Sequence, residues 1–404
     1  MDDLSGETVA NQAGELAGTN ENRPDKQSGE ELSACLKGTH WSRLPVEMQI
    51  EIVKQDCQKN LDNDDKLNLL CAYPNLLSAI SESYPRENPN AANGGEDTKG
   101  DPPRICIEYS SEKKMFYDQM ARRYGSRQPH RIFGLKHDEV MFVGLNPESK
   151  HTAILLGALE STSTTTRRLR FDANEPDFQL VLAFTKALKP SYLELNFGYN
   201  GKWYTLNEFV EAFPTLSELN ELLVFCPVHA DGDSLLSHLS KFPPYLWLDN
   251  TFLPAPLESF LHTGDAVKFL RTLVSTKFEE GSPAAVALKR IVNWRFNVKY
   301  ETEIEEGETM RSYKFLSELV ADIIPSDSEI MNLDSATGTV KRRIFEFRLA
   351  VGDKQHIIYV KEEVDHLYRY RAIQLANQTT DFCEVLVSPD SSIISYMVDP
   401  DEDD

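Results

Sequence analysis

The sequence predicts an α/β chain: a small helical segment near the N-terminus, a solenoid of degenerate strand–helix units, and an α+β cap at the C-terminus. Three observations carry this prediction. Short runs with strand character recur at near-regular intervals, helix-period stretches fill the gaps between them, and past Glu301 the recurrence gives way to a hairpin pattern.

The strand-like runs are Met141-Phe142-Val143, Leu169-Arg170-Phe171, Leu193-Glu194-Leu195, Leu223-Val224-Phe225, Leu246-Trp247-Leu248, Leu270-Arg271-Thr272 and Trp294-Arg295-Phe296, spaced 23 to 30 residues apart. Most alternate apolar with other residues, as strands do. Between them, Phe178, Leu182, Phe184 and Leu188 keep helical spacing, as do Leu206, Phe209, Val210 and Phe213, and then Leu235, Leu236 and Leu239. Pro254 precedes Leu257, Phe260 and Leu261, and Pro283 precedes Val286, Leu288 and Ile291. Proline suits a helix start, where its missing N–H costs nothing. One such unit cannot bury its apolar face alone, whereas a stack of them can. The array resembles leucine-rich repeats in period and element order, without the Leu-x-x-Leu-x-Leu-x-x-Asn pattern, so it is read as degenerate. An ordinary α/β domain with units of similar length is the alternative.

After Glu301, Phe315, Leu316, Leu319, Ile323 and Ile324 predict a helix. Arg343 to Val351 and Gln355 to Val360, joined at Gly352-Asp353, predict a hairpin, because both turn residues tolerate the backbone of a tight turn. Val364, Leu367 and Tyr368 resume helical spacing, and Ile393, Ile394 and Tyr396 suggest a last strand.

The 404 residues allow about two or three domains. A composition of 41% hydrophobic and 26% charged residues supports a substantial core. The net charge of −22 excludes a general nucleic-acid binder, which needs a surplus of lysine and arginine over phosphate. Acidic excess gathers at 1–38, at Glu301 to Glu308 and at Asp399 to Asp404, read as solvated segments. Six scattered cysteines with no Cys-x-x-Cys pair fit thiols in a reducing compartment. With no apolar stretch after Met1-Asp2-Asp3 and no run near the roughly 18 apolar residues of a membrane span, a cytoplasmic or nuclear location and no membrane partner are expected.

The N-terminal helical segment holds the most specific signal. Leu44-Pro45 opens a helix in which Val46, Ile50, Val53 and Cys57 share one face, while Met48 and Ile52 lie elsewhere. A helix apolar on more than one side needs two partners. A second helix carries Leu67, Leu69, Leu70 and Cys71, capped by Asn63 or Asp64. Pro74 opens a third with Leu76, Leu77 and Ile80. These residues resemble the F-box, in the divergent form of the large nematode receptor families. The resemblance implies that Leu44, Pro45, Glu47, Ile50, Ile52, Val53, Leu67, Leu70, Leu76 and Leu77 dock on the Skp adaptor, and through it on a cullin. Where this family has a basic residue and a tryptophan in the third helix, the chain has Tyr73-Pro74-Asn75.

No phosphate loop, nucleophile elbow or His-Glu-x-x-His stands in the sequence, so no catalytic residue, cofactor or metal is expected and the chain is read as a non-enzyme. His229 with Asp231 and Asp233 is the one compact acid–histidine cluster, placed where loops and helix caps favour aspartate. Arg122, Arg123, Arg127, His130 and Arg131 form a basic patch suited to a solvated loop or to an acidic partner. Ser161 to Thr166 reads as a polar loop before a strand, and Trp203, Tyr204, Tyr245 and Trp247 read mostly as core.

The resulting division is a tail at 1–38, the F-box-like segment at 39–84, a Pro/Gly-rich linker at 85–104, the repeat-like domain at 105–300, the cap at 301–398 and an acidic tail at 399–404. The expected function is the substrate-recognition subunit of an SCF-type ubiquitin ligase, holding a target protein with the repeat region. A free-standing repeat scaffold with no ligase role is the alternative.

Overall fold

A computed structural model of the chain describes residues 44–59, 61, 63–77, 104–110, 112–118, 133, 136–174, 177–198, 202–249, 260–300, 313–335, 337–366 and 369–379. The chain divides into two compact units, Met1–Gln49 and Ile50–Asp404, with the division inside the first helix, α1 (Val46–Lys59). In the first unit, Pro45 stands immediately before α1, and its carbonyl accepts from the N–H groups of Met48 (3.0 Å) and Gln49 (3.1 Å). The Gln49 side chain turns back to donate to the Leu44 carbonyl at 2.9 Å.

The second unit is mixed α/β with a large, mostly parallel sheet. After α2 (Asn63–Ala72), strand β1 (Arg104–Ser110) turns back antiparallel into β2 (Met115–Asp118). From β1 the chain lays down β3 (Lys136–Val143), β4 (Thr165–Ala173), β5 (Tyr192–Phe197), β7 (Glu221–Phe225), β9 (Tyr245–Leu248) and β11 (Asn293–Val298), each parallel to the one before and directly beside it. Helices return the chain between strands: α3 (Lys150–Ser161), α4 (Phe178–Leu188), α5 (Leu206–Ala212) and α6 (Gly232–Ser237). The short strands β6 (Tyr204–Thr205) and β8 (Val228–His229) pair with each other in a small second sheet. Among the described residues the main sheet has thirteen strands.

Local sequence dictates the helix starts. Asp177 accepts from the Leu180 N–H at 2.8 Å and opens α4; Thr205 with Glu208, and Asp231 with Ser234, form reciprocal caps on α5 and α6. On the helix-covered side of the sheet, Val140, Phe142, Leu169, Phe171, Leu193, Leu195, Leu222, Val224, Leu246 and Leu248 are all buried. Phe184 of α4 packs 4.6 Å from Phe142 and 5.9 Å from Phe171, ring centre to ring centre. Phe178 meets Phe197, Phe209 and Phe213, joining neighbouring units.

Between β9 and β11 the structure departs from the expected recurrence of strands. Leu270-Arg271-Thr272 is not a strand: it lies in α7 (Thr263–Ser275), where Ala266, Phe269, Leu270 and Leu273 are buried at helical spacing. Three residues cannot distinguish a period of 2 from one of 3.6, and the longer window decides for the helix. Leu261, read as helical, is extended and bridges Ala230 and Val298 in parallel. The gap therefore holds α7, an edge strand β10 (Lys277–Phe278) and α8 (Pro283–Arg290, with Ser282 as cap and Pro283 at the first position). Pro254 and Leu257 lie outside the described residues.

After β11 come the four-residue α9 (Leu316–Leu319), shorter than expected, and the short strand β12 (Met331–Asn332). The predicted hairpin is β13 (Val340–Val351) and β14 (Lys354–Asp365), turning at Gly352 with φ +60°. Val364 belongs to β14, not to a helix. Finally β15 (Tyr370–Ala376) pairs antiparallel with both β14 and β11, so the C-terminal elements extend the same sheet. β10 and β12 cover stretches of the outer edge of β13. Residues 1–43, 78–103, the basic patch at 122–131, the acidic run at 301–308 and everything after 379, Ile393 included, lie outside the described residues. Among those described, no helix is long and apolar enough to cross a membrane.

Gly232 marks the tightest helix contact. A Cβ there would lie 2.7 Å from the Asp265 carbonyl oxygen and 2.9 Å from the Phe269 nitrogen of α7, both backbone atoms that cannot swing away. Gly232→Ala is therefore expected to destabilise the fold by about 1–3 kcal/mol, the usual range for overpacking, read as a lowered urea midpoint with unchanged slope.

Candidate functional site

Alternation along each strand sends every second side chain to the face opposite the helices. In a parallel sheet with neighbours in register, those side chains line up in rows across the strands. One row runs Met141, Arg170, Glu194, Leu223, Trp247, Arg295, Gln374, Lys361, Ile344 and Met331, unbroken from β3 to β12. A second runs Glu139, Arg168, Tyr192, Glu221, Tyr245 and Asn293. Apolar residues dominate the other side of these strands; here charge and aromatic rings dominate.

Two clusters stand on this face. In the first, Arg170 is gripped between Glu139 (3.2 Å) and Glu194 (2.9 Å), and Tyr192 donates its hydroxyl to Glu194 at 2.7 Å. The Arg168 guanidinium lies 5.2 Å over the Tyr192 ring. Burial raises the carboxyls of Glu194, Glu221 and Asp172 above their ordinary range, against the pull of the neighbouring arginines. In the second cluster, Arg295 lies 4.7 Å over Trp247 and 5.5 Å from the Tyr370 ring, and donates to the Tyr370 hydroxyl at 2.8 Å. Asp249 accepts from both Trp247 Nε1 (3.0 Å) and the Tyr370 hydroxyl (3.2 Å). Glu363 sits among three cations: Arg342 at 2.8 Å, Arg295 at 3.5 Å and Lys361 at 3.8 Å. The donors and acceptors of the two clusters mostly satisfy one another, which holds these side chains in place.

The residues singled out from the sequence fare differently. The residues expected to dock on an adaptor divide between the two units, Leu44, Pro45 and Glu47 in the first and the others in the second. Pro45, Glu47 and Ile52 are exposed, Leu44, Ile50 and Leu77 half-buried, and Leu67, Leu70 and Leu76 fully buried; the Val53 side chain lies outside the described residues. Within the second unit α2 packs on β2 and α3. Asn68 of α2 exchanges two hydrogen bonds with the Phe116 backbone, at 3.1 and 3.2 Å. His229 contacts the Trp203 ring, Asp231 caps α6, and Asp233 lies in the first turn of α6 and pairs with Lys268, so the cap reading holds for Asp231 and not for Asp233. Ser161 to Thr166 spans the end of α3 and the entry to β4, with Thr164 buried. Trp203, Tyr204 and Trp247 are half-buried and Tyr245 is 37% exposed, so these aromatics are not core. Cys71, Cys106 and Cys226 are buried free thiols. Among the described residues, no group of three or more histidines, cysteines and carboxylates could hold a metal ion. The sequence reading missed Arg170, Glu194, Arg295, Tyr370 and Glu363 as site residues. Their signal was a charge or ring between two buried positions of each strand.

Compared with protein-family models, with curated proteins and with solved structures, the chain matches none.

Glu362 and Glu363 are adjacent in β14 and point to opposite faces. On the helix side Glu362 is fully buried; it accepts the Leu316 N–H on both oxygens (2.9 and 2.8 Å) and lies 3.7 Å from Arg371. Burial outweighs these partners and pushes its carboxyl up to about 7. Burial also acts to raise Glu363, but Arg295, Arg342 and Lys361 overcome it and hold that carboxyl below its ordinary value. The linkage signs are therefore opposite. A raised folded-state carboxyl keeps a proton that the unfolded chain releases, so the Glu362 contribution falls as pH rises from about 4.5 to about 7. Glu362→Gln should match the parent near pH 4.5 and exceed its stability by up to about 3 kcal/mol near pH 7.5. A depressed carboxyl stabilises above its unfolded value and loses that contribution as pH falls. Glu363→Gln should cost roughly 3 kcal/mol at pH 7, from cations left unpaired, with the deficit closing in acid. Denaturant titrations at several pH values check both.

Proposed function

We propose that the chain is a substrate-recognition subunit of an SCF-type ubiquitin ligase, with the strand–helix array read as a degenerate leucine-rich-repeat-like solenoid. The observation that carries the adaptor half is the start of α1. Leu44-Pro45 leads directly into the helix, and Met48 and Ile52 leave it apolar and exposed, at 52% and 38%. Exposed large apolar side chains on a helix favour a protein partner. The target half rests on the array: consecutive units place consecutive strands side by side, and the resulting face is rich in arginine, tryptophan and tyrosine, the residues enriched at interface hot spots. The chain then contributes no reaction of its own. It raises the concentration of target lysines near a charged ubiquitin carrier held by the cullin.

A second reading, a free-standing scaffold, draws support from α2. Leu67 and Leu70 of that helix, and Leu76 just after it, are buried within this chain, and Asn68 is tied to β2. Under the adaptor reading these three positions support the helices from within, and Pro45, Glu47, Met48 and Ile52 make the contact.

The two readings separate in one experiment on the full chain, since α2 depends on residues of β2 and α3 for its burial. Under the ligase reading, purified Skp adaptor is captured by the parent chain and not by Leu44→Ala/Pro45→Ala, while the urea midpoint of the main transition stays the same. Capture unchanged by the double substitution, or absent in both forms, leaves the scaffold.

A further inference from the structure

The two ends of the sheet are finished differently. At one end β2 is the last strand, and the Asn68 carboxamide takes both the N–H and the carbonyl of Phe116, at 3.1 and 3.2 Å. A side chain there stands where a further strand would pair. At the other end β13 is flanked by β10 and β12. β10 carries an exposed lysine, Lys277, a common guard of an edge, and its Phe278 is buried. β12 and its neighbours, Ile330-Met331-Asn332-Leu333, hold no lysine, no proline and no charge.

The backbone of this run is open on its outer side. The Leu333 N–H donates to the Arg342 carbonyl at 2.9 Å. Inward and outward groups alternate along an antiparallel strand, so the N–H and carbonyl of Asn332 point away from β13. Among the described residues β12 pairs with β13 alone. The side chains agree with the backbone. Nine large apolar side chains are exposed among the described residues, and three of them, Ile330, Met331 and Leu333, fall within these four positions. Met331 and Leu333 share one face of the strand, and Ile330 takes the other. An unpaired backbone edge and exposed apolar groups beside it are the two features that a strand-addition site combines.

We propose that β12 is a docking edge for an extended segment of a partner protein, added to the sheet as a further strand. The segment carries alternate apolar side chains that pack on Met331 and Leu333, and basic residues at its ends. Charge decides for a partner over a second copy of this chain. Glu329 and Asp334, both exposed, stand at the two ends of the run, so pairing two such edges would gather like charges. The net charge of −22 opposes self-association further. The same carboxylates favour lysine or arginine flanking the incoming strand. The inference concerns the edge of the sheet and not its faces, and it does not rest on the adaptor reading.

The test uses the full chain and the fluorescein-labelled peptide Lys-Lys-Val-Thr-Val-Thr-Val-Lys-Lys, followed by anisotropy. Lys-Lys-Val-Pro-Pro-Pro-Val-Lys-Lys keeps the charge but lacks the central N–H donors, and Glu-Glu-Val-Thr-Val-Thr-Val-Glu-Glu keeps the pattern with the charge reversed. Asn332→Pro removes the outward N–H at a place where an edge strand tolerates proline. Met331→Ser/Leu333→Ser removes the apolar contact and leaves the backbone unaltered. Ile357→Ser removes an apolar side chain of similar exposure on β14. The expected result is saturable binding of the first peptide alone, weakened about tenfold by each edge variant and less than about twofold by Ile357→Ser. Absence of binding by the parent chain, equal binding of either control peptide, or equal weakening by all variants overturns the proposal. Sedimentation of the parent as a dimer that Asn332→Pro converts to a monomer would make a second copy the occupant and overturn it likewise. Urea midpoints of the variants, compared with the parent, exclude unfolding as the cause. Adaptor capture by the Asn332→Pro chain stays unchanged in either case, so failure of this proposal and failure of the adaptor reading give different results.

Discussion

Everything described in the sheet depends on one constraint: a parallel strand cannot reach its neighbour without a crossover, and that crossover must cover the strand it leaves. Here the described crossover helices α3 to α6 pack on one another in turn along one side of the sheet. Phe184 against Phe142 and Phe171, and Phe178 against Phe197 and Phe209, make α4 bury its own strand and those on both sides of it at once. Because consecutive strands are also spatial neighbours, one register relation repeats from β3 to β11, and the opposite face inherits it as continuous rows. A slip of one residue in any strand would exchange its apolar and polar sets. It would bring Arg170 or Glu194 under α4 and Phe171 or Leu195 onto the other face, so core and candidate site are specified by the same pairings.

The row continues past β11 although the strand direction does not. Where β15 joins antiparallel, Gln374 still stands opposite Arg295, and Lys361 opposite Gln374. An antiparallel hairpin needs no crossover helix, so the sheet can extend while the repeated unit ends. It also deals with the outer edge, since an uncovered strand is a template for unwanted pairing. β10 and β12 each occupy part of the edge of β13. The displacement of β10 to that edge explains the missing repeat: the chain segment between β9 and β11 is long enough for two units, yet its strand belongs to the C-terminal hairpin.

These relations mark the limit of what the linear sequence reveals. Six of the seven strand-like runs lie in strands, because alternation against a buried layer is written locally in residues such as Leu169 and Phe171. The hairpin was legible for the same reason, with Gly352 supplying the turn. Leu270 misled because its local apolar–polar order fits either period, and only Ala266 and Leu273 decide between them. β1 was passed over, although Ile105 and Ile107 alternate, because no second run of its kind precedes it. The candidate site was the least legible part. Arg170, Glu194 and Glu363 read singly as solvated charges. Their ion-pair partners on neighbouring strands lie 21 to 68 residues distant, and only register brings Arg295 to Tyr370 and to Glu363.

The N-terminal helical segment presents the opposite case, a pattern visible in the sequence whose physical use is divided. An apolar residue in a short helix signals burial, but not by which chain. Leu67 and Leu70 answer that question for α2: β2 and α3 of the same chain take them, and the hydrogen bonds of Asn68 to the Phe116 backbone hold the helix in that position. Met48 and Ile52 have no such cover. α2 is ordered by the α/β unit itself, as a ten-residue helix must be, because so short a helix is marginal without tertiary packing.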